Sequence, residues 1–206
     1  MINFLCLKWG DKYSVDYVNI LYNMVQRHYS KEFNFYCMTD NSEGINPCIN
    51  IVPLLEQDYV GWWHKICFFH PLLEEFIQGR VITLDLDLVI VDNIDCLDTT
   101  NKFSILADYF PANGFNSSIM NFTVGTMNTI FTSFHKKYAE QLWGDQAWIT
   151  QVSKEIAVVY PKEWVRSYKF EILSPEFHIP KDCKIILYHG KPDPHETLQH
   201  VGKYWC

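Results

Sequence analysis

Residues 80–91, Arg-Val-Ile-Thr-Leu-Asp-Leu-Asp-Leu-Val-Ile-Val, constrain the fold more than any other stretch of this chain. Gly79 punctuates, and Arg80–Leu84 then reads as a strand of the buried kind, apolar on both faces as in a parallel sheet covered on both sides. Asp85 and Asp87 interrupt that apolar run. In extended backbone a spacing of two puts both carboxylates on one side, with Leu84, Leu86 and Leu88 on the other. Two carboxylates held that close repel one another unless a cation lies between them. At the C-terminal end of a strand in an open α/β sheet, they also fall where such folds bind ligands. Hard oxygen ligands suit Mg²⁺ or Mn²⁺ completed by phosphate oxygens. A plainer reading stands beside this one: a strand running into an acidic loop, since Asp92, Asp95 and Asp98 follow.

The flanking segments supply the alternation that such a sheet needs. Residues 2–8 form a short apolar run, read as a strand. Val15, Val18, Leu21, Tyr22 and Val25 then recur at helical spacing behind Ser14, which predicts a helix over 14–29 with Asp16 in its first turn. Strands are expected at 33–38 and 50–52, and a helix at 62–76 that is interrupted or tightened near Pro71. The second half is less regular: short strands near 103–107 and 118–122, helices at 126–141 and 145–153, and a strand at 184–188. Strands alternating with helices predict the α/β class, with a mainly parallel central sheet and helices on both faces.

At 206 residues, 48% of them hydrophobic, the chain is expected to form a single domain over 1–206 and to need neither disulfides nor metal to fold. Seventeen basic against twenty-four acidic residues give a net charge of −7, which leaves nucleic acid or a membrane surface without global electrostatic support as a partner. The N-terminus lacks a signal-peptide pattern, and no run approaches the ~18 apolar residues of a transmembrane segment. Seven cysteines, odd in number and scattered through apolar runs, suit reduced core thiols. Together these features predict a cytoplasmic protein. The sequons at Asn116-Ser117-Ser118 and Asn121-Phe122-Thr123 are then chance occurrences.

Three rivals share the Asp-x-Asp spelling. A calcium loop needs an oxygen ligand at its fifth position and Gly at its sixth, where Val89 and Ile90 stand. A phosphatase of the haloacid dehalogenase type also ends a strand in Asp-x-Asp but usually continues with Gly-Thr, in place of Leu88-Val89. His195-Glu196 suggests a zinc protease, but the partner position holds Gln199, and His200 is out of helical phase. There is no phosphate loop and no Gly-x-Gly-x-x-Gly.

Several segments together resemble the GT-A glycosyltransferases, most of all the glycogenin-like group of nucleotide-diphospho-sugar transferases. Leu5-Cys-Leu-Lys-Trp9-Gly10-Asp-Lys-Tyr13 is similar to the first strand and turn that hold the nucleotide base. Trp62-Trp63-His64-Lys65 resembles the helix whose lysine approaches the donor. Phe115-Asn116-Ser117-Ser118 looks like a Phe-Asn-Ser-Gly segment with Ser118 in place of Gly. Gly144-Asp145-Gln146 matches the segment beside the transferred sugar. Tyr188-His189-Gly190-Lys191-Pro192 resembles the closing His-x-x-Gly-x-x-Lys-Pro region in a compressed form. Leu86 stands where the family usually has Ala. The chain is short for the family, so acceptor-binding or dimerisation extensions are expected to be missing.

The resemblance implies a single GT-A (Rossmann-like) domain that moves a hexosyl group from a nucleoside diphosphate donor, UDP being expected, to an acceptor that is a sugar, protein or lipid. It implies Asp85, Asp87 and His189 as ligands of Mn²⁺, with Mg²⁺ an alternative. Leu7, Trp9, Tyr13, Lys65, Asp85, Asn116, Ser117, Gly190 and Lys191 would bind the donor. Asp145 and Gln146 would serve the chemistry, with retention at the anomeric carbon. Lys65 and Lys191 would stabilise the leaving diphosphate. For Asp145 a helix-capping role competes with the catalytic one, and for Asp40 a turn-forming role competes with contact to the base. Two further readings remain: a catalytically silent nucleotide-sugar-binding protein of the same fold, and the phosphatase.

Overall fold

The side chains of the first strand alternate between two apolar layers. In the computed structural model, which describes residues 1–110, 114–173 and 176–206, the strands in chain order are β1 (Ile2–Lys8), β2 (Phe33–Thr39), β3 (Asn50–Pro53), β4 (Arg80–Leu84), β5 (Leu88–Ile90), β6 (Ser104–Ala107), β7 (Phe115–Thr123), β8 (Val158–Val159), β9 (Val165–Ser167) and β10 (Ile185–Leu187). Phe4 and Cys6 of β1 enter one core cluster and Leu5 the other. A strand buried on both faces belongs in the middle of a sheet, and β1 lies between β2 and β4, parallel to both.

Among the described residues seven strands form one sheet in the order β3-β2-β1-β4-β7-β6-β8. The β1, β2, β3 and β4 pairings and the β6–β8 pairing are parallel, while β7 runs antiparallel to both β4 and β6. The mainly parallel α/β expectation therefore holds. A second sheet, β5-β10-β9, was not foreseen. Its strand β10 is the one expected at 184–188, whereas β5 and β9, three residues each, are too short for a periodicity to register.

Helix α1 (Val15–His28) follows the spacing read from the sequence and buries Tyr17, Val18, Leu21, Met24 and Val25. At ~2 kcal/mol for each fully buried side chain, that face contributes on the order of 10 kcal/mol of apolar burial. It shares a cluster with β5 and β10. The other face of the sheet is covered by the 3₁₀ segment Gly61–Phe69, the short turn α2 (Thr129–Thr132) and a helix described below. Helices thus cover both faces.

The expected helix at 62–76 is instead two 3₁₀ segments, Gly61–Phe69 and Pro71–Glu75. His70 between them is extended, as the residue before a proline tends to be, and its Nδ1 accepts the Leu72 N–H at 2.9 Å. The expected helix at 126–141 reduces to α2 and α3 (Lys136–Ala139), parted at Phe134-His135. Phe134 is buried, stacked on Trp63 and edge-on to Trp148, so aromatic packing outweighs helical continuity there. Helix α4 (Asp145–Ser153) matches the 145–153 expectation, and α5 (Leu198–Val201) lies near the C-terminus.

All seven cysteines are free, with Cys6, Cys37, Cys67 and Cys183 buried. Asn116 and Asn121 are buried as well, leaving no room for a glycan on either sequon. Among the described residues no helix is long and apolar enough to cross a membrane.

Candidate active site

Strand β4 ends at Leu84, and residues 85–87 form the turn into β5 rather than a continued strand. Asp85 still donates its backbone N–H to the Ser118 carbonyl at 2.9 Å, one step past the β4–β7 ladder. That step places Asp85 beside Ser117. Leu86 is buried in the core between its two acidic neighbours, so it does not point outward, and the carboxylates share one cavity. The spacing-of-two expectation survives, although a turn produces it in place of a strand.

The cavity measures about 390 Å³. Leu7, Trp9 and Tyr13 reach it from the end of β1, Lys65 from the 3₁₀ segment, and Asp145 and Gln146 from the first turn of α4. Leu7, Trp9, Tyr13, Lys65, Asp85, Asp87, Asp145 and Gln146, eight of the residues singled out in the sequence, thus converge. Gly61, Leu86 and Gly144 also line the wall, and Lys12, Trp62 and Trp143 join it without a binding or catalytic role assigned from the sequence. Lys12 and Trp62 lie inside the 5–13 and 62–65 segments and Trp143 adjoins Gly144, and that placement is the signal that could have found them.

Lys65 is the electrostatic centre. Its Nζ lies 2.6 Å from Asp85 Oδ1 and 3.4 Å from Ser117 Oγ, and Ser117 donates to Asp145 Oδ2 at 2.6 Å. Burial is the largest influence on Lys65 and works to discharge it. The Asp85 and Asp145 carboxylates together outweigh it and hold the ammonium above its usual range. Burial raises Asp145 above the usual carboxylate range, against the pull of Lys65 and Ser117. Burial, and then repulsion from Asp85, pushes Asp87 up to about 6, although Tyr13 donates to its Oδ2 at 2.7 Å.

The capping reading of Asp145 does not survive. Gly144 is the N-cap of α4, and Asp145 is the first helical residue, its carboxylate turned to Ser117 and 4% exposed. Gly144 is extended, a conformation open to any residue, and its bare side faces the cavity. Asp40 lies outside the cavity lining and accepts the Gly10 N–H at 3.1 Å, tying β2 to the turn after β1. The local turn at 39–41 is instead closed by the Thr39 hydroxyl, so Asp40 ties two loops together and is neither a cavity residue nor a turn-former.

Four further site residues, His189, Asn116, Gly190 and Lys191, lie elsewhere. His189 and Asn116 line a second cavity of about 160 Å³ with Asp108, Ser167 and Glu171. Gln146 bridges the two cavities by donating to Asp108 Oδ2 at 2.9 Å. Burial lowers the His189 imidazole below its usual range, so it is neutral at pH 7. Lys191 is exposed and paired with Asp193 at 2.8 Å and Glu196 at 3.0 Å. Gly190 forms the turn between them with φ of 64°, where its lack of a Cβ is required.

The donor set bears on a metal. Lys12 and Lys65 are the cations of the main cavity against three carboxylates, so a diphosphate entering it needs further positive charge. Two carboxylates in one cavity, one with its pKa raised by burial and then by the other's charge, fit a hard divalent ion that takes its remaining ligands from phosphate and water. Among the described residues no three His, Cys, Asp or Glu side chains are gathered around one point, and His189 does not join Asp85 and Asp87 in their cavity.

A mainly parallel sheet with an acidic turn at the end of its central strand is the architecture of the GT-A glycosyltransferases, and the chain has that fold. It superposes on the galactosyltransferase LgtC, solved with donor and acceptor sugar analogues, at a TM-score of 0.69 with 13% identity, over 99% of this chain and 96% of that one. A Gln-to-Glu active-site mutant of LgtC gives 0.70 at 13% over the same shares. The glycosyltransferase GlyE of Streptococcus pneumoniae TIGR4 gives 0.70 at 12%, over 94% of this chain and 56% of that one. No protein-family model matches the chain, and no curated protein sequence does either.

Proposed function

We propose that this protein is a cytoplasmic glycosyltransferase of the glycogenin-like group that moves a hexosyl unit from a UDP-sugar to an acceptor hydroxyl, with retention of configuration and with Mn²⁺ bound. The observation that carries the reading is the convergence of Asp85, Asp87, Lys65 and Asp145 in one cavity of a GT-A fold. The superposable proteins are glycosyltransferases, one of them solved with donor and acceptor sugar analogues, which supports it.

Asp85 and Asp87 would hold the ion, and His189, which lines the neighbouring cavity, would supply a nitrogen ligand. When bound, the ion supplies Lewis-acid stabilisation of the departing diphosphate. Leu7, Trp9 and Tyr13 take the nucleoside. Lys65 faces the phosphates, with Ser117 beside it, and Asn116 would contribute to the donor from the adjoining cavity. Gly190 lets the loop turn in, and Lys191 exchanges Asp193 and Glu196 for phosphate.

The chemistry breaks the bond between the anomeric carbon and the diphosphate oxygen. The acceptor oxygen bonds to the same carbon from the same face, and its proton passes to the departing diphosphate. Positive charge grows at the anomeric carbon, and Asp145, a buried carboxylate in the same cavity, would be the anion that stabilises that charge. Gln146, fixed on Asp108, orients the sugar.

A thermal-shift panel of nucleoside diphosphates and UDP-sugars, with and without Mn²⁺, tests the reading. A ligand at 100 times its dissociation constant stabilises by about 2.7 kcal/mol. UDP should raise the melting temperature only with Mn²⁺. Stabilisation by no nucleotide under any metal condition overturns the assignment, and turnover of a plain phosphomonoester restores the phosphatase reading.

A further inference from the structure

Two tryptophans in the wall of the main cavity are left bare. Trp62 and Trp143 are 55% and 56% exposed. Their sequence neighbours show how unusual that is: Trp63 stacks on Phe134 with ring centroids 5.3 Å apart, and Trp148 is 7% exposed and donates its indole N–H to the Ile130 carbonyl. An indole not needed for packing ordinarily turns inward, because it carries the largest apolar surface of any side chain. These two stand at the mouth of a cavity that already holds carboxylates and a lysine.

Their position within the cavity is specific. The Trp62 Nε1 lies 3.6 Å from where a Cβ on Gly144 would stand, so its indole rests beside that bare backbone. Trp143 immediately precedes Gly144, and Asp145 and Gln146 follow. The pair therefore flanks the carboxylate assigned to the reacting carbon and is separate in sequence from the β1 end, where Leu7, Trp9 and Tyr13 take the nucleoside.

Resting on the glycosyltransferase reading, we propose that Trp62 and Trp143 are the acceptor platform and that the acceptor presents an uncharged pyranose ring to them. A pyranose has a face of polarised C–H bonds that lies well on the negative face of an indole, and an edge of hydroxyls that needs hydrogen-bond partners. Asp145 and Gln146 supply those partners beside the rings. The cations of the cavity are Lys12 and Lys65; Lys65 is bound to Asp85, and none is contributed by the 143–146 segment, so the platform does not select a phosphorylated acceptor. A peptide acceptor would call for unpaired backbone groups or a free strand edge, whereas indoles, a carboxylate and a carboxamide are what the wall offers.

The test uses the full chain with UDP and Mn²⁺ present and titrates lactose, maltose, cellobiose, the methyl glycosides of glucose and galactose, and a Ser/Thr/Tyr peptide, reading saturation-transfer NMR and tryptophan fluorescence. At least one glycoside should bind. Trp62→Leu and Trp143→Leu should each weaken it by tenfold or more, Trp62→Phe should restore most of the loss, and UDP affinity by calorimetry should be the same in all variants. Glycoside binding that survives both leucine substitutions overturns the platform, as does binding of the peptide alone or of none of the probes. The UDP titration separates the two levels: glycoside binding lost on Trp62→Leu in a protein that never binds UDP keeps the platform and removes the transferase reading.

Discussion

Tyr13 donates its phenolic hydrogen to Asp87 across 2.7 Å, joining the turn after β1 to the turn after β4. The Tyr13 ring packs tilted against Tyr17 of α1, with ring centroids 4.7 Å apart, and the Tyr17 hydroxyl meets His195 Nδ1 at 2.5 Å. Asp87, whose ionisation burial and then Asp85 oppose, is therefore held from behind by an aromatic chain that runs from half-buried Tyr13 through buried Tyr17 to exposed His195.

That relationship fixes a pH dependence. The folded-state pKa of Asp87, about 6, stands above the unfolded value of 3.8, so the folded protein binds this proton more tightly. The resulting stability is complete below about pH 4 and is lost as pH rises through 6. Metal-free wild-type protein should lose stability to urea across that window. Asp87→Asn, which cannot ionise, should lack this component and should bind UDP at least about 100-fold more weakly in Mn²⁺, since it removes a ligand outright where disturbing a ligand's partner already costs 10–100-fold. Unchanged Mn²⁺-dependent UDP binding in calorimetry removes the metal assignment.

Lys65→Met leaves Asp85 and Asp145 without their shared cation. Removing one partner of a buried pair costs about 3 kcal/mol or more, which urea unfolding reads directly. Binding should split in sign: Mn²⁺ alone should bind more tightly to the more negative cavity, while UDP affinity falls. If both affinities fall together, Lys65 shapes the site instead of charging it.

His189 should reveal itself through competition between proton and metal. Its pKa is lowered by burial, so UDP–Mn²⁺ affinity should weaken as pH falls below 6.5, with the Asp87 contribution superimposed. His189→Ala should lose affinity and flatten the profile to the Asp87 component alone. A mutant profile identical to wild type leaves His189 in its second cavity with a structural role.

Asp145→Asn keeps an acceptor for the Ser117 hydroxyl and removes the charge. Turnover should drop by about 100-fold or more, the scale seen when one electrostatic stabiliser of a transition state is removed, with UDP affinity and melting temperature close to wild type. Sugar transfer at a comparable rate in this variant sends the search for the stabilising group elsewhere, with Gln146 first.

What the sequence determined by itself is local. The helix over Val15–His28, the strands at β1, β2 and β4, and α4 were legible because long runs carry enough apolar positions to establish a period, and the start of α4 is marked by Gly144-Asp145. The carboxylate pair was legible because charge inside a buried run is costly and so stands out. Tertiary structure decided the rest. Phe134 breaks the expected 126–141 helix by packing on Trp63, 71 residues away in the chain. Lys65 meets Asp85 because the 3₁₀ segment crosses the end of β4, and Ser117 meets Asp145 because the β7 register carries it there. His189 and Lys191, contiguous with a recognisable motif, lie outside the main cavity because burial beside Asp108 and pairing with Asp193 and Glu196 satisfy them locally. Spacing along a chain reports which residues share a face. Which faces meet is set by packing over distances the spacing does not encode.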